Sequence, residues 1–273
     1  MRKRVCVVLA LVGVLLISAE WIHEALGQVS EIPAGLVGWW RFTESGGSVA
    51  GDSSGAGNDG TLIGAAFFDL DATLGSALEI RDESGGVLVP HAGSLEPPTG
   101  TIAVWFKVDG RQNSDLVAKF TDLMVRTNKP GWFSVYGLRV LKNGAVEGFV
   151  ANDDPEAWGP WTFARSRTGL YKLHQWHHLV LRWDGNTVAI FLDGQLQAAS
   201  PYVPVPEKGL SYHVVSNFAI AVSTWWGRHR PSEHDFIGWL ADVRFFARPL
   251  SEEEIYRIYS ASGVSQTSAA ERE

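Results

Sequence analysis

The sequence is poor in cysteine. Its one thiol, Cys6, stands at the start of an apolar N-terminal run. The rest of the chain therefore has no disulfide and no thiol chemistry, and a core or a metal must hold it together. Apolar runs of membrane-spanning length are also missing. The run that opens the chain, "MRKRVCVVLALVGVLLISA", places Arg2, Lys3 and Arg4 before Val5–Ile17. That is shorter than the ~20 residues of a transmembrane helix and has the order of a secretory leader. Cleavage after Ala19 fits I-x-A and cleavage after Gly27 fits A-x-G. The later site is preferred, which predicts a signal peptide over 1–27, a linker over 28–35, and a protein that is secreted, periplasmic or on the cell surface, with no integral span in the mature chain. An uncleaved anchor is the rival, and a lipoprotein would want its cysteine at the end of the run.

Basic charge is in deficit. Lys and Arg number 23 against 30 Asp and Glu, a net of −7. Nucleic acid wants a basic footprint, so that partner is not expected, whereas divalent cations remain compatible. Catalytic signatures are scarce too. There is no nucleophile elbow, Walker loop or dinucleotide fingerprint. His23-Glu24 lacks the second His of a zinc motif. His177-His178 are adjacent, so on a strand they point to opposite faces and cannot chelate together; one packed and one at the surface is the expectation. His229 and His234 lie in a polar stretch, "GRHRPSEHD".

What is present is turn and strand. Glycine numbers 29, and Trp, Phe and Tyr number 12, 13 and 6. Short β-branched and aromatic segments alternate with turn signals: Val37–Phe42, Ala77–Ile80, Val87–Val89, Thr101–Val108, Leu138–Leu141, Ala145–Val150, Trp176–Trp183, Val188–Asp193 and Ile237–Phe246. Asn143-Gly144, "DGNT" and Asp193-Gly194 read as hairpin turns. One helix is predicted, in "LSEEEIYRIYSA", with Ser251 as N-cap and Glu254 completing a capping box. Ile255, Ile258 and Tyr259 share one of its faces. The fold class expected is all-β, a two-sheet antiparallel jelly-roll sandwich with one short C-terminal helix, over 36–260, with a disordered tail over 261–273.

Residues 52–60, "DSSGAGNDG", concentrate oxygen ligands on a flexible backbone. An EF-hand started at Asp52 fails at Ala56 and Ile63, and a calcium-binding β-helix turn fails because one copy cannot bury its face. Two readings stay open: a Ca²⁺ site, and a glycine turn with Asx caps and no metal.

The surrounding segments carry a resemblance. "GLVGWWRFTE", "GDSSGAGNDGTLIG", "GSALEI", "TIAVWFKV", "WHHLVLRWDGNTVAIFLDGQ" and "FIGWLADVRFFARPLSEEEIYRIY", in this order, are similar to the bacterial laminin G-like jelly rolls of the concanavalin A-like lectin/glucanase superfamily. The likeness covers Leu36 to Tyr259. It implies that the early loop holds a structural Ca²⁺ against the last strand, here through Asp52, Asn58 and Asp242. The family usually has two acids before V-R, and the first is Ala241 here. Glucanases of the superfamily resemble one another in an E-x-D-x-x-E strand, and this chain has none; Glu252, Glu253 and Glu254 are consecutive and open the helix. Tyr171-Lys172 is only a fragment of a lyase strand motif.

Beyond the framework tryptophans, Trp158 and Trp161 sit in "NDDPEAWGPWTFARSR", and Trp225 and Trp226 precede "GRHR". Aromatic rings beside Asp, Asn and Arg suit a sugar, whose C–H face stacks while its hydroxyls bond; filling the sandwich rim is the alternative. The expectation is a lectin-like module, not an enzyme, binding glycan or cell-surface polysaccharide through Trp158, Trp161, Trp225 and Trp226. An envelope protein-interaction or assembly module ranks second, and a divergent glycanase or lyase third.

Overall fold

The computed structural model describes residues 32–122, 132–151, 161–202, 217–222, 224–225, 228–229 and 236–262, with backbone alone at 120–122, 132–134, 224–225 and 228–229. The expected leader and all of the expected tail after Ser262 fall outside the described residues. The strands and the helix all belong to the compact unit that begins at Ala34.

In chain order the strands are β1 (Leu36–Trp40), β2 (Val49–Ala50), β3 (Gly60–Ile63), β4 (Ala66–Asp69), β5 (Ala77–Ile80) and β6 (Gly86–Val89). Then come β7 (Gly100–Lys107), β8 (Ser114–Asp122), β9 (Trp132–Val140), β10 (Val146–Ala151), β11 (Trp161–Arg165) and β12 (His177–Trp183). The remainder are β13 (Thr187–Leu192), β14 (Gln195–Pro201), β15 (Phe218–Ile220), β16 (Thr224–Trp225), β17 (Arg228–His229) and β18 (Gly238–Phe246), followed by the helix α1 (Glu252–Ser260). Sheet one runs β14-β13-β12-β7-β18-β5-β4, with β1 also on β18; sheet two runs β11-β10-β9-β8-β15-β6-β3-β2; β16 and β17 form a separate pair. Every pairing is antiparallel. The sandwich and its C-terminal helix are as the sequence predicts.

Alternation along each strand builds the core. Ile102, Val104 and Phe106 of β7 point inward, with Leu179, Leu181 and Trp183 of β12 and Leu240, Val243 and Phe245 of β18. Sheet two answers with Val117, Tyr136, Leu138, Val146 and Phe218. Trp40, Trp183 and Tyr136 are fully buried, and Tyr136 stacks on Trp183 at 5.3 Å. Each such ring removed from water is worth about 2–3 kcal/mol. The intervening residues of sheet one, Ala103, Val180 and Phe191, face the other way and receive Ile255 and Ile258 of α1. The helix start is the expected capping box: Ser251 Oγ accepts from Glu254 N–H and the Glu254 carboxylate accepts from Ser251 N–H. Arg248 grips the same carboxylate at 3.0 and 2.5 Å, and that pairing holds it down at about 2.

The histidine pair departs from expectation. His177 and His178 do face opposite ways, one toward Phe106 and one toward Trp105, but both are buried. The reason is Tyr259 of α1, which packs against Trp105 and His178 and covers what would have been surface. His177 is a satisfied core histidine: Nε2 accepts from Lys172 N–H, and Nδ1 meets Asp193 at 2.8 Å. Burial drives His178 down to about 4.

Candidate functional site

The outer face of sheet one carries one cross-strand row. Phe67 pairs with Glu79, Glu79 with Trp239, and Trp239 with Lys107. His177 pairs with Phe106, so Trp176 falls beside Lys107. Aromatic and charged side chains thus alternate across five neighbouring positions. The Lys107 ammonium lies 4.7 Å from the Trp239 ring and 5.0 Å from the Trp176 ring, and 2.8 Å from Asp71 Oδ2. Burial by itself would raise the Asp71 carboxyl; the Lys107 ammonium and the N–H groups of Thr73 and Leu74 outweigh it and hold it below the usual range. Arg81 pairs with Glu79 at 2.7 Å and covers the Phe67 ring at 4.3 Å. Trp239 Nε1 donates to Asp69 Oδ2 at 3.0 Å.

Next to this row opens a cleft of about 410 Å³, with Trp239, Glu79, Arg81, Asp109, Arg111 and Gln112 among its lining. The turn after β7 is fastened to β18 by Gln112, whose Nε2 donates to Ile237 O at 2.6 Å while its Oε1 accepts from Ile237 N–H at 3.0 Å. Gly238 is required beside it: a Cβ there would stand 2.5 Å from Lys107 O, at a φ of +141°. The cleft offers an indole wall, and its cations carry partners: Arg81 has Glu79, and Arg111 donates to Tyr171 O at 3.1 Å. An apolar wall with a few placed polar groups is the ordinary form of a small-molecule site.

The "DSSGAGNDG" loop is a second centre. Gly55 and Gly57 take positive φ, +86° and +78°, which glycine adopts without strain. Asp52 is saturated by donors: Oδ1 accepts from Trp39 N–H and Ser54 N–H, and Oδ2 from the Ser54 hydroxyl and Asn58 N–H, all at 2.8–2.9 Å. Asn58 Nδ2 donates to Val37 O and Ser94 Oγ. Asp242, at a bulge of β18 with a φ of +47°, accepts from Trp39 Nε1 at 2.5 Å and pairs with Arg244 at 2.8–2.9 Å. The structure therefore brings Asp52 and Asp242 to opposite ends of one residue, Trp39, by its backbone and by its indole. These oxygens already face N–H and guanidinium groups. Ca²⁺ wants about 6–8 converging oxygens, and among the described residues no group of three acidic, His or Cys side chains is arranged for a metal. The donor set does not fit the ion as it stands.

Of the four tryptophans expected at a sugar site, Trp158 and Trp226 lie outside the described residues, and Trp225 is described as backbone in β16. Trp161 sits half-buried on β11, 6.4 Å from the Phe163 ring. Sequence reasoning placed Trp239 and Trp176 in the framework and passed over Lys107 and Phe67. The signal was the alternation in "GWLADVRFF", which turns Trp239 away from the core-facing Leu240.

Residues 81–256 match the family Laminin_G_3, described as the concanavalin A-like lectin/glucanases superfamily. The chain belongs to that superfamily. No curated protein matches this concanavalin A-like chain. Among solved structures it is similar to the Trypanosoma rangeli sialidase in complex with sialic acid, at 21% identity and a TM-score of 0.61 over 86% of this chain and 35% of that one. It is also similar to the binding domain of Paraclostridial Mosquitocidal Protein 1, at 11% identity and 0.59 over 83% and 52%. A third is the receptor binding domain of botulinum neurotoxin C/D mosaic serotype, at 12% and 0.57 over 83% and 51%. The chain spans about a third of the sialidase and about half of the toxin domains. The likeness is one of fold. The expectation of a protein that is not an enzyme is corrected here, because sialidases stand among the structures that share its fold. Among the described residues no helix is long and apolar enough to cross a membrane.

Proposed function

We propose that this concanavalin A-like domain is an exported glycan-binding module that takes an uncharged stretch of cell-surface polysaccharide along the outer face of sheet one. The observation that carries the reading is Trp239, which walls the cleft while the cations around it are already partnered. A pyranose stacked on that indole would bond its hydroxyls to Glu79 or Asp109. The formal charges of the cleft's lining cancel, Glu79 and Asp109 against Arg81 and Arg111, so a charged ligand gains no net attraction there. A hydrogen-bonded loop, with no calcium in it, holds the N-terminal strand to β18 in this reading. Trp158, Trp161, Trp225 and Trp226 stay a proposed second contact set, tested by their joint change to Ala.

Glycan-array screening followed by calorimetry on the best neutral glycan tests it. Trp239→Ala is expected to weaken binding at least about tenfold, equivalent to about 1.4 kcal/mol, measured well below the variant's own melting temperature, which falls because the indole also packs on the cluster around Trp105 and bonds Asp69. Unchanged affinity would end the cleft assignment. Protein binding is the second reading, favoured by the two toxin domains described as binding and receptor-binding; capture of a partner that free sugar does not compete away would favour it.

A further inference from the structure

A smaller cavity of about 170 Å³ opens on the same outer face, at the other half of β18. Trp39, Arg41, Thr43, Ser76, Asp242 and Arg244 are among its lining. Both guanidinium groups approach the Trp39 ring, each at 4.9 Å. The two arginines are not equivalent. Arg244 is neutralised by Asp242 through two contacts, and the same carboxylate also accepts from Trp39 Nε1. Arg41 is exposed, and among the described residues its guanidinium lies over the indole ring and makes no hydrogen bond or ion pair. Asp242 is the one carboxylate in the lining and it is already spent, so the cavity presents one uncompensated positive charge beside the hydroxyls of Thr43, Ser76 and Ser262.

The geometry points to a second site here, in which the oxyanion of an acidic sugar, the carboxylate of a uronic acid or the sulfate of a sulfated sugar, is held by Arg41 against Trp39. A guanidinium is a planar fork that matches either oxyanion with two parallel hydrogen bonds, and its stacking on an indole fixes the fork's plane. The Thr43 and Ser76 hydroxyls can donate to the remaining oxyanion oxygens, while Ser262 Oγ, which already donates to Tyr259 O, can accept from a sugar hydroxyl. The volume equals that of about five or six liquid waters, room for one small acidic unit. The platform is held rigid from two sides: Asp52, outside the cavity, pins the Trp39 backbone, and Asp242, in its wall, pins the ring.

The cavity and the cleft are separable. The cleft uses Ile237 and the first two residues of β18, Gly238 and Trp239, and the cavity uses Ala241, Asp242 and Arg244. The test is an NMR titration of the full chain with glucuronate, glucose 6-sulfate and glucose at one ionic strength, following the Trp39 indole N–H and the Arg41 Nε–H. Both signals are expected to move with at least one of the acidic sugars and to stay still with glucose, and the acid that moves them identifies which oxyanion is preferred. Arg41→Gln, at an exposed position, is expected to weaken that binding at least tenfold, with Arg41→Lys between the two. Trp239→Ala is expected to leave it unchanged, so the loss of one site is distinguishable from the loss of the other. The inference is overturned if glucose and the acids behave alike, if no probe moves the signals, or if Arg41→Gln titrates like the native protein.

Discussion

The two ends of β18's outer face use the same chemistry to opposite effect. At the cleft, Lys107 and Arg81 each have a carboxylate and lie against an aromatic ring. At the cavity, Arg244 has its carboxylate and Arg41 does not. A ring stacked under a paired cation is an uncharged platform with a polar rim, whereas a ring under an unpaired cation is an anion receptor. The difference lies in one missing acid. It also shows why counting arginines near a tryptophan says little until their partners are counted.

His178 sits behind both ends, against Trp105 and under the influence of Asp242, Asp193 and Arg244, and offers the strongest way to test whether they are one unit. Burial keeps its imidazole neutral down to about 4, while in the unfolded chain it protonates near 6.5. Between those values the unfolded state binds more protons, so stability is fully present above about 6.5 and falls as pH drops toward 4, by roughly 3 kcal/mol. Denaturant melts at pH 7.5 and 4.5 should show a smaller acid loss in His178→Leu than in the native chain. Equal losses would mean that His178 is not the titrating group. Two separate transitions, one per end, would break the view of a single rigid face.

The next largest effect isolates one end. Asp52→Ala strips the acceptor from Trp39 N–H, Ser54 N–H, the Ser54 hydroxyl and Asn58 N–H. Leaving such donors short costs about 2 kcal/mol, visible as a lower melting temperature. Binding of acidic sugar should fall with it, and binding of neutral glycan at the cleft should not. Loss of both together would contradict the separation. The smallest effect is the sharpest for the loop. Since donors already fill Asp52 and Arg244 answers Asp242, a melt with EDTA should coincide with one in added Ca²⁺. A rise of several degrees with Ca²⁺ would restore the metal reading.

Much of the frame was legible because its signals are local. Ser251 and Glu254 stand three residues apart, and Asn143-Gly144 and Asp193-Gly194 specify their own turns. The loop was legible in part. Its glycines announced a special backbone, yet oxygens read as metal ligands turned out to face N–H donors from Trp39, which lies 13 residues from Asp52. The row was not legible, since Phe67, Glu79, Trp239, Lys107 and Trp176 meet only through the register of β4, β5, β18, β7 and β12. Burial of His178 was hidden for the same reason: Tyr259, which roofs it, comes 81 positions later in the chain.

The place of β18 has a consequence for biosynthesis. β18, the last of the described strands, supplies the second neighbour of β7 and β5 and the strand partner of β1. Until residue 246 has emerged, those earlier segments wait with open hydrogen-bonding edges, which is when chains cross-associate. Sheet two holds every strand it needs by residue 220, so sheet one is the part of this topology that closes in one late, long-range step.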